Sequence, residues 1–375
     1  MNRSSIAYGI IGCGMMGQEH IRNIALLPDA QVAAIFEPDP GMLTASLAMT
    51  PGARAAASVA DLLAIDEVDC VLIASPNHCH LAQLEEIAAR RPLPVLVEKP
   101  LFTDAADAKR IETLGGRLPL VWVAMEYRYM PPVAAFVEQA EAATGGIRML
   151  TISEHRFPFL TKVGDWNRFN RNTGGTFVEK CCHFFDLMRL ILKSDPVRVM
   201  ASAGQAINHL DERYGGETPD ILDHGYVLVD FASGARAMLE LCMFAEGSRY
   251  QEELRAVGGS GKIECRVPGP GRFWPAHLGA APVPELIVSP RNPPGPRLVE
   301  TPVDPQLLAA GDHNGSTYFE HACFVAAVRG QGSVEVTLQD GWWAVVTGLA
   351  AQQSAREGRA VELASEFAVP TSASQ

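Results

Sequence analysis

A chain of 375 residues is long enough to bury the core of one large or two medium-sized domains. Its 31 basic and 43 acidic residues give a formal net charge of −12, so it would gain no counterion release on nucleic acid and no attraction to an anionic membrane surface. Neither class of partner is expected, and no apolar run reaches the length that spans a bilayer.

The N-terminus has one feature of a secretory signal, because Arg3 precedes an apolar stretch from Ile6 to Met16. Three glycines interrupt that stretch and no small-residue cleavage site follows it, so we interpret it as a buried first strand. We therefore expect a cytoplasmic protein. The eight cysteines form no Cys-x-x-Cys pair, and a chain of this size does not need disulfides, so reduced thiols are expected.

The first half of the chain alternates apolar runs of strand length with stretches of helix length. Strands are predicted at Ile6–Ile11, Gln31–Phe36, Val68–Ala74, Pro94–Val97 and Leu120–Ala124, and helices at Gln18–Leu27, Met42–Ala48, His80–Arg90 and Asp104–Leu114. This alternation predicts an α/β fold with a doubly wound parallel sheet of the Rossmann type.

The second half is typical of an antiparallel sheet, because turn residues such as Ser233-Gly234 separate several of its apolar runs. Strands are predicted at Ile147–Phe157, Val197–Asn208, Tyr226–Phe231, Ala235–Phe244 and Glu253–Val257, and helices at Phe177–Leu192, Ser316–Arg329 and Leu338–Arg356. The change of pattern near Tyr127–Pro132 predicts two domains, 1–127 and 128–375.

A proline-rich segment, residues 266–305, lies within the second half. Its eleven prolines in forty residues predict a loop or arm with edge strands at most, because proline cannot donate a hydrogen bond to a sheet or lie inside a helix. A surface excursion is the favoured interpretation. A dimer arm and a flap over an active site are the alternatives.

A glycine motif of the form G-x-G-x-x-G follows the first predicted strand and opens a helix. The first glycine permits a tight turn, the second lets the backbone approach a pyrophosphate, and the third lets the helix pack against the strand. The N-terminus of the helix offers free N–H groups to phosphate oxygens. The predicted cofactor loop consists of Gly12, Cys13, Gly14, Met15, Met16 and Gly17.

Glu37 ends the second predicted strand, twenty residues after Gly17. A carboxylate at that place can accept both hydroxyls of an adenosine ribose and repels a 2′-phosphate. No arginine or lysine lies between Glu37 and Thr50. The sequence therefore predicts NAD as the cofactor in preference to NADP.

Three further segments follow the glycine loop in a specific order: Ser75-Pro76-Asn77-His78-Cys79-His80, Glu98-Lys99-Pro100, and Gly174-Gly175-Thr176 leading to Glu179, His183 and Asp186. Together with that loop they resemble the glucose–fructose oxidoreductase, inositol dehydrogenase and rhizopine-catabolism family. The resemblance covers nearly the whole chain. It implies a Rossmann domain followed by an α/β domain with an open, largely antiparallel sheet, which lines the substrate pocket and carries the contacts of a homodimer or homotetramer.

The resemblance also implies residue roles. It makes Lys99 catalytic and places Ser75, Pro76, Asn77, His80 and Glu98 on the nicotinamide side of the cofactor site. The position of Lys99 supports this independently, because it follows a parallel strand, and ligands of open α/β sheets bind beyond the carboxyl ends of the strands. A lysine there can hydrogen-bond a reacting hydroxyl and stabilise a developing alkoxide.

Glu179 and His183 are four residues apart, which places them on one face of a predicted helix, with Asp186 on roughly the same face. His183 is the candidate general base, since its ordinary pKa lies near working pH. Glu179 would orient the substrate hydroxyl or the imidazole. The family commonly has aspartate at position 179 and glycine at position 181. Because this chain differs at both positions, we predict that it belongs to a distinct subgroup, and the substrate of another family member cannot be assigned to it.

The substrate site is predicted to include Arg128, Trp166 and Arg168 beside Lys99, Glu179 and His183. A mixture of polar groups and an aromatic ring suits a sugar, whose hydroxyls need hydrogen-bond partners and whose apolar faces stack on rings. No metal is expected, because the adjacent Cys181 and Cys182 point in different directions on a helix.

These observations predict an NAD-dependent oxidoreductase that acts on a secondary hydroxyl of a sugar, a sugar derivative or a cyclitol. Two alternatives remain. One is a non-catalytic regulator that binds NAD, and the other is an NAD-dependent glycoside hydrolase. Lys99 weighs against both, and His183 weighs against the regulator.

Overall fold

The computed structural model describes residues 5–367 of the chain. Arg3, on which the signal-peptide alternative depends, lies outside the described residues. Within the described part of the chain, no helix is both long enough and apolar enough to cross a membrane.

The first half forms a parallel sheet with helices between its strands. Its strands are β1 (Ile6–Ile11), β2 (Ala30–Phe36), β3 (Arg54–Ala55), β4 (Cys70–Ile73), β5 (Val95–Glu98) and β6 (Val121–Ala124), and its helices are α1 (Met15–Ile24), α2 (Pro40–Met49), α3 (Val59–Leu63), α4 (His80–Arg90) and α5 (Ala108–Leu114). The strand order is β3-β2-β1-β4-β5-β6. The order reverses at β1, so a crevice opens beyond the carboxyl ends of β1 and β4, where ligands of such sheets bind.

All nine elements predicted for this half are present, with ends that shift by a few residues. The predicted doubly wound sheet is therefore confirmed. β3 and α3 escaped prediction because segments of two and five residues are too short to display a hydrophobic period.

The second half contains the remaining elements. They are α6 (Pro131–Thr144), β7 (Ile147–His155), α7 (Asn170–Thr173), α8 (Thr176–Glu179), α9 (Cys182–Leu192), β8 (Pro196–Gly204), β9 (His224–Phe231), β10 (Arg236–Cys242), β11 (Glu252–Gly258), β12 (Gly261–Val267), β13 (Glu285–Pro290), β14 (Arg297–Glu300), α10 (Pro305–Ala310), α11 (Ser316–Val328), α12 (Leu338–Glu357), β15 (Val361–Glu362) and α13 (Leu363–Glu366).

Nine of these strands form one sheet in the order β14-β13-β12-β11-β7-β10-β9-β8-β15. All neighbours pair antiparallel except β7 and β10, which run parallel. The expected open and largely antiparallel sheet is confirmed. The boundary at residue 127 stays a prediction, although β6 closes the first sheet and β7 opens the second.

Two predictions about local structure are corrected. The helix expected at Phe177–Leu192 is two helices, α8 and α9, with a break at Lys180 and Cys181. The proline-rich segment contains β13, which pairs on both sides and is therefore not an edge strand, and β14, which is one. The first five residues of β13, Glu285 to Ser289, contain no proline, so the strand forms in a proline-free stretch of the segment.

Helix α12 contacts elements of both halves of the chain. It packs on α8, α9 and β8 and also contacts β6 and α5 of the first sheet. Gly348 permits the close approach to α8, because a Cβ built there would lie 2.6 Å from the carbonyl oxygen of Phe177. Since α8 carries Glu179, this contact also helps to place the candidate site.

We expect Gly348→Ala to lower the melting temperature. The clash is with backbone atoms, and overpacking of this kind costs about 1–3 kcal/mol of unfolding free energy. Gly247→Ala is the control, since nothing lies within 4 Å of a Cβ built at that position. Thermal unfolding followed by circular dichroism makes the comparison. Equal melting temperatures for the two variants would contradict the close packing of α12 on α8.

Candidate active site

The glycine loop connects β1 to α1 in the geometry that a dinucleotide needs. Gly12 has a φ of +88°, and a Cβ built there would lie 2.5 Å from the backbone nitrogen of Ser75. A Cβ on Gly17 would lie 2.4 Å from the carbonyl oxygen of Gly12, whereas nothing lies within 4 Å of a Cβ on Gly14. The loop is therefore tight where the chain turns and open at Gly14, where a pyrophosphate must approach.

Helix α1 begins at Met15, so Met15 and Met16 form its first turn. Its N-cap, Gly14, provides no side-chain hydrogen bond to that turn. The N–H groups at this helix terminus consequently have no side-chain cap to compete with phosphate oxygens.

Glu37 lies beside this loop, directly after β2. Its Oε2 accepts a hydrogen bond of 2.6 Å from the Cys13 N–H, and its Oε1 accepts one of 2.9 Å from the Asp39 N–H. The carboxylate is partly buried and held against the loop by two backbone donors. This placement fits the role of ribose acceptor that the sequence predicts.

The loop after β4 joins the crevice from the other side. Pro76 precedes a short 3-10 turn at Asn77–Cys79. The Ser75 hydroxyl donates to Gln83 at 2.6 Å, while Asn77 is buried and its Nδ2 has no partner among the described residues. An unpaired buried donor at this place fits a cofactor amide or hydroxyl.

His80 has a different role from the one expected. Its ring nitrogens lie 2.8 Å from the Pro100 carbonyl oxygen and 3.0 Å from the Ser75 carbonyl oxygen, so both are engaged by backbone. His80 therefore holds the loop after β4 against the loop that carries Lys99. We assign it a positioning role in place of a direct contact with the cofactor.

Glu98 is buried at the end of β5 and also acts as a support. Its Oε1 lies 2.7 Å from Nε2 of His20, and its Oε2 accepts a hydrogen bond of 3.1 Å from the Lys99 N–H. Burial alone would raise the pKa of Glu98, but the hydrogen bond from His20 and the charges of His20 and Lys99 lower it to about 2. The carboxylate is thus ionised and anchors the backbone at Lys99.

Lys99 reaches across to the second half of the chain. Its Nζ donates a hydrogen bond of 3.1 Å to the carbonyl oxygen of Glu179, the last residue of α8. In a continuous helix that carbonyl would accept from the N–H of His183. The break between α8 and α9 leaves it free for Lys99, so the discontinuity that sequence periodicity missed is what makes the contact possible.

His183 lies in the first turn of α9 and is buried. Its ring stacks on that of Tyr127, with 4.1 Å between centroids and 8° between planes, and its Nδ1 has no partner among the described residues. Burial and the nearby positive charges of Lys99 and Lys180 lower the pKa of His183 well below its ordinary value. The imidazole is therefore neutral at pH 7 and able to accept a proton.

The side chain of Glu179 is buried and its Oε2 has no hydrogen-bond partner among the described residues. Burial raises the pKa of this carboxyl, and the positive charges of Lys162 and Lys99 act in the opposite direction. No ion pair links Glu179 to either lysine within the described part of the chain. The unpartnered Glu179 Oε2 is therefore available to a ligand hydroxyl.

Asp186 does not share the site with Glu179, because it forms a bidentate ion pair with Arg128. Arg128 also donates to the carbonyl oxygen of Glu335 at 2.8 Å. Arg168 is buried and donates to Glu212 at 2.8 Å. These contacts bind both arginines to other parts of the protein, and we propose structural roles for them in place of the expected binding of substrate.

Trp166 does lie at the border of the site. Its ring meets that of His78 from the loop after β4, with 6.2 Å between centroids. The Nζ of Lys162 lies 5.1 Å from the centroid of the indole ring. Trp166 thereby spans the crevice between the two halves of the chain.

Sequence reasoning missed a buried charged group beneath the site. Lys180 donates to the Tyr127 hydroxyl at 2.6 Å and lies 2.9 Å from Glu154 of β7. Glu252 of β11 lies 3.5 Å from the same hydroxyl. Glutamates inside apolar strands were the signal that could have revealed them, since carboxylates are almost never buried unless paired.

A second group lies beside Tyr127 and includes His313, whose ring centroid lies 6.0 Å from that of Tyr127. His313 Nδ1 lies 2.7 Å from Glu19, and the Thr317 hydroxyl donates to Glu126 at 2.8 Å. Burial opposes protonation of His313, but the charges of Glu126 and Glu19 raise its pKa to about 9. Although the ligand atoms of Glu19, Glu126 and His313 lie within 4.8 Å of one another, a protonated imidazole cannot ligate a metal. The expectation of no metal stays a prediction.

The proline-rich segment lies across a cavity of about 640 Å³ from α1. Met15 and Glu19 of α1 line this cavity together with residues 268–272 and 281–284 of the segment. The cavity thus borders the glycine loop, while Lys99 and His183 lie elsewhere. Because the proline-rich segment lies beside the cofactor loop, the structure favours a flap over a surface excursion.

Comparison with known families agrees with this geometry. Residues 6–123 match the model described as the oxidoreductase family with an NAD-binding Rossmann fold, and residues 142–363 match its C-terminal alpha/beta domain. The chain belongs to this oxidoreductase family, Gfo/Idh/MocA. The predicted family is therefore confirmed, and NAD is the cofactor of its first domain.

Several members of the family resemble the chain over most of its length. Inositol 2-dehydrogenase of Leifsonia xyli subsp. xyli is 36% identical over 270 residues, 71% of this chain and 74% of that protein. Inositol 2-dehydrogenase 2 of Saccharopolyspora erythraea is 30% identical over 267 residues, 69% of this chain and 73% of that protein. The rhizopine catabolism protein MocA of Rhizobium meliloti is 26% identical over 270 residues, 71% and 78% of the two chains.

Solved structures share the fold. Levoglucosan dehydrogenase in complex with NADH and levoglucosan aligns with a TM-score of 0.78 at 21% identity, covering 96% of this chain and 99% of that one. A myo-inositol dehydrogenase from Corynebacterium glutamicum ATCC 13032 aligns with a TM-score of 0.71 at 21% identity, covering 96% and 99%. At such identities the likeness shows the arrangement of the two domains and not the substrate.

We expect Glu37→Ser to weaken the preference for NAD over NADP. Removing a carboxylate beside the glycine loop removes its repulsion of a 2′-phosphate, so the ratio of the two Kd values should change by at least about tenfold. Asp39→Asn is the control. It removes an equal charge two residues away and keeps the oxygen that accepts from the Met42 N–H at 2.8 Å. Isothermal titration with each nucleotide measures both Kd values, and an equal shift in the two variants would exclude a specific role for Glu37.

Proposed function

We propose that this protein is an NAD-dependent dehydrogenase that oxidises a secondary hydroxyl of a sugar, a sugar derivative or a cyclitol. The observation that carries the proposal is the convergence of Lys99, His183 and Glu179 next to the NAD-binding loops. Among the described residues the Lys99 ammonium makes one hydrogen bond to protein, and His183 Nδ1 and Glu179 Oε2 make none. Polar groups that remain unpaired in a buried site are the groups expected to bind a polyhydroxylated ligand.

The roles of the three residues follow from their protonation states. NAD, when bound, accepts a hydride from the carbon that bears the hydroxyl. The neutral imidazole of His183 takes the hydroxyl proton, and Tyr127 fixes the plane of the ring by stacking on it. Burial lowers the pKa of Lys99, but Cys182, Glu98 and Glu179 more than compensate and raise it, so the ammonium can stabilise negative charge on the oxygen. The Glu179 carboxyl orients a neighbouring hydroxyl.

The two alternatives have no support from the relatives named above, which are named as dehydrogenases and a catabolism protein. The geometry also argues against a regulator, because a module that only binds NAD has no use for a charged lysine and a neutral histidine in one buried pocket. A glycoside hydrolase would need a site for an aglycone, and nothing observed points to one.

We further propose that the protein is a cytoplasmic homodimer or homotetramer. The outer face of the second sheet supports assembly, because Met200 and Leu228 lie opposite each other on β8 and β9 and are 55% and 52% exposed. Met238 of β10 pairs with Leu228 and continues the apolar row. Apolar rows of this kind on a monomer commonly mark an interface. Sedimentation velocity of the purified protein tests the assembly.

Lys99→Met should abolish most of the turnover while NAD binding survives. Loss of the ammonium removes a hydrogen bond that strengthens as charge develops on the oxygen, so kcat should fall by about 100- to 1000-fold. NADH formation at 340 nm with a panel of inositols, sugars, anhydrosugars and sugar acids gives kcat, and titration calorimetry gives the Kd for NAD. The exposed Lys109→Met on α5 is the control. A Lys99→Met enzyme with the wild-type rate would overturn the mechanism.

The pH profile should report His183. A base must be neutral to accept a proton, and the pKa of His183 is lowered well below 6.5 by burial and by Lys99 and Lys180. The acid limb of kcat/KM should therefore lie below pH 6.5, with no loss of rate between pH 7 and 6.5. His183→Gln should remove this limb and lower the rate by about 100- to 10,000-fold. A wild-type limb above pH 6.5 would show that another group is the base.

A further inference from the structure

Lys162 differs from the other cations around the site. It lies in the segment between β7 and α7, is partly buried, and has its Nζ 5.1 Å from the centroid of the Trp166 ring. Within the described residues its ammonium has neither a hydrogen bond nor an ion pair. Burial lowers the pKa of Lys162, the charge of Glu179 opposes that shift, and the charge of Lys99 adds to it, so Lys162 lies near both groups.

Apart from Lys99, whose ammonium donates to the carbonyl oxygen of Glu179, the neighbouring cations have carboxylate partners. Lys180 lies 2.9 Å from Glu154, and Arg156 lies 3.5 Å from the same carboxylate. Arg168 lies 2.8 Å from Glu212. A charge that is buried without a partner is costly, so such groups are normally paired. Lys162 has no carboxylate partner among the described residues, is partly exposed, and lies beside Trp166 at the border of the site.

The charges nearest to Lys162 leave it without a bound counter-charge. Glu179 and Glu98 favour its protonated form and Lys99 and Arg156 oppose it, but neither carboxylate forms an ion pair with its ammonium among the described residues. A negatively charged partner is therefore absent from the immediate surroundings of the ammonium in this part of the chain. A ligand carboxylate would supply it, and its two oxygens would form charge-assisted hydrogen bonds with the free N–H groups of Lys162.

We infer that the substrate carries a carboxylate and that Lys162 binds it. The substrate is then a sugar acid or a carboxylated cyclitol, with its apolar ring face towards Trp166 and a hydroxyl at Glu179. This inference rests on the proposed dehydrogenase function and names the substrate class of the same site. It accounts for the unpaired ammonium, which a neutral polyol would leave without a counter-charge.

The test compares substrates that differ only in the charged group. NADH formation is measured with D-glucuronate against D-glucose, with D-galacturonate against D-galactose, and with glucose 6-phosphate. We expect kcat/KM for the acids to exceed that for the neutral sugars by about 10- to 100-fold, the range of a charge-assisted hydrogen bond. Preference for the neutral sugars or for the phosphate would overturn the inference and leave the dehydrogenase proposal standing. Absence of turnover with every compound, although NAD binds, would count against both.

Variants assign the preference to one residue. Lys162→Met should raise KM for the acids and remove their advantage while changing kcat/KM for the neutral sugars by less than about threefold. Lys109→Met should leave both classes unchanged. If Lys162→Met lowered kcat/KM equally for acids and neutral sugars, the role of Lys162 would be overturned. Loss of a specific counter-charge cannot affect an uncharged substrate to the same degree.

Discussion

The hydrogen bond from Lys99 to the carbonyl oxygen of Glu179 is the contact on which the arrangement of the site depends. Lys99 follows β5 of the parallel sheet, and Glu179 ends α8 of the second half of the chain, so a single bond of 3.1 Å links the two parts at the point of chemistry. The carbonyl is available because α8 stops there and α9 begins three residues later. A helix that ran through this segment would use the same oxygen for its own ladder and leave Lys99 without this acceptor.

The ionisable side chains of the site fall into two classes, those that form ion pairs inside the protein and those that do not. Lys180 with Glu154, Arg128 with Asp186, and Glu98 with His20 are paired inside the protein. Such pairs hold elements in position, and removing one partner would leave an uncompensated charge. The side chains that form no ion pair among the described residues, those of Lys99, Lys162, Glu179 and His183, are the ones that a ligand can satisfy. The paired groups therefore form a rigid support, and the groups without an ion pair form the surface that can bind and react with a ligand.

Much of the cofactor site was predictable because its constraints are local. The spacing of Gly12, Gly14 and Gly17 after an apolar strand requires a tight turn, and the distance to Glu37 follows from one strand-helix-strand unit. The substrate side was less predictable. Periodicity placed Glu179, His183 and Asp186 on one helix face, but the break at Lys180 turns Asp186 to Arg128. Arg128 and Arg168 were chosen for their chemistry, and their carboxylate partners lie far away in sequence.

The sequence by itself determined the alternation of strands and helices in the first half, the glycine loop, and the acid, lysine and histidine that we propose for NAD preference and catalysis. These depend on hydrophobic period and short spacings, which a linear chain displays directly. Only the tertiary structure decided which charges are paired, because Lys180 meets Glu154 and His313 meets Glu19 across long separations. It also decided that Lys162 has no ion-pair partner among residues 5–367, since such an absence becomes visible only when the neighbours in space are known.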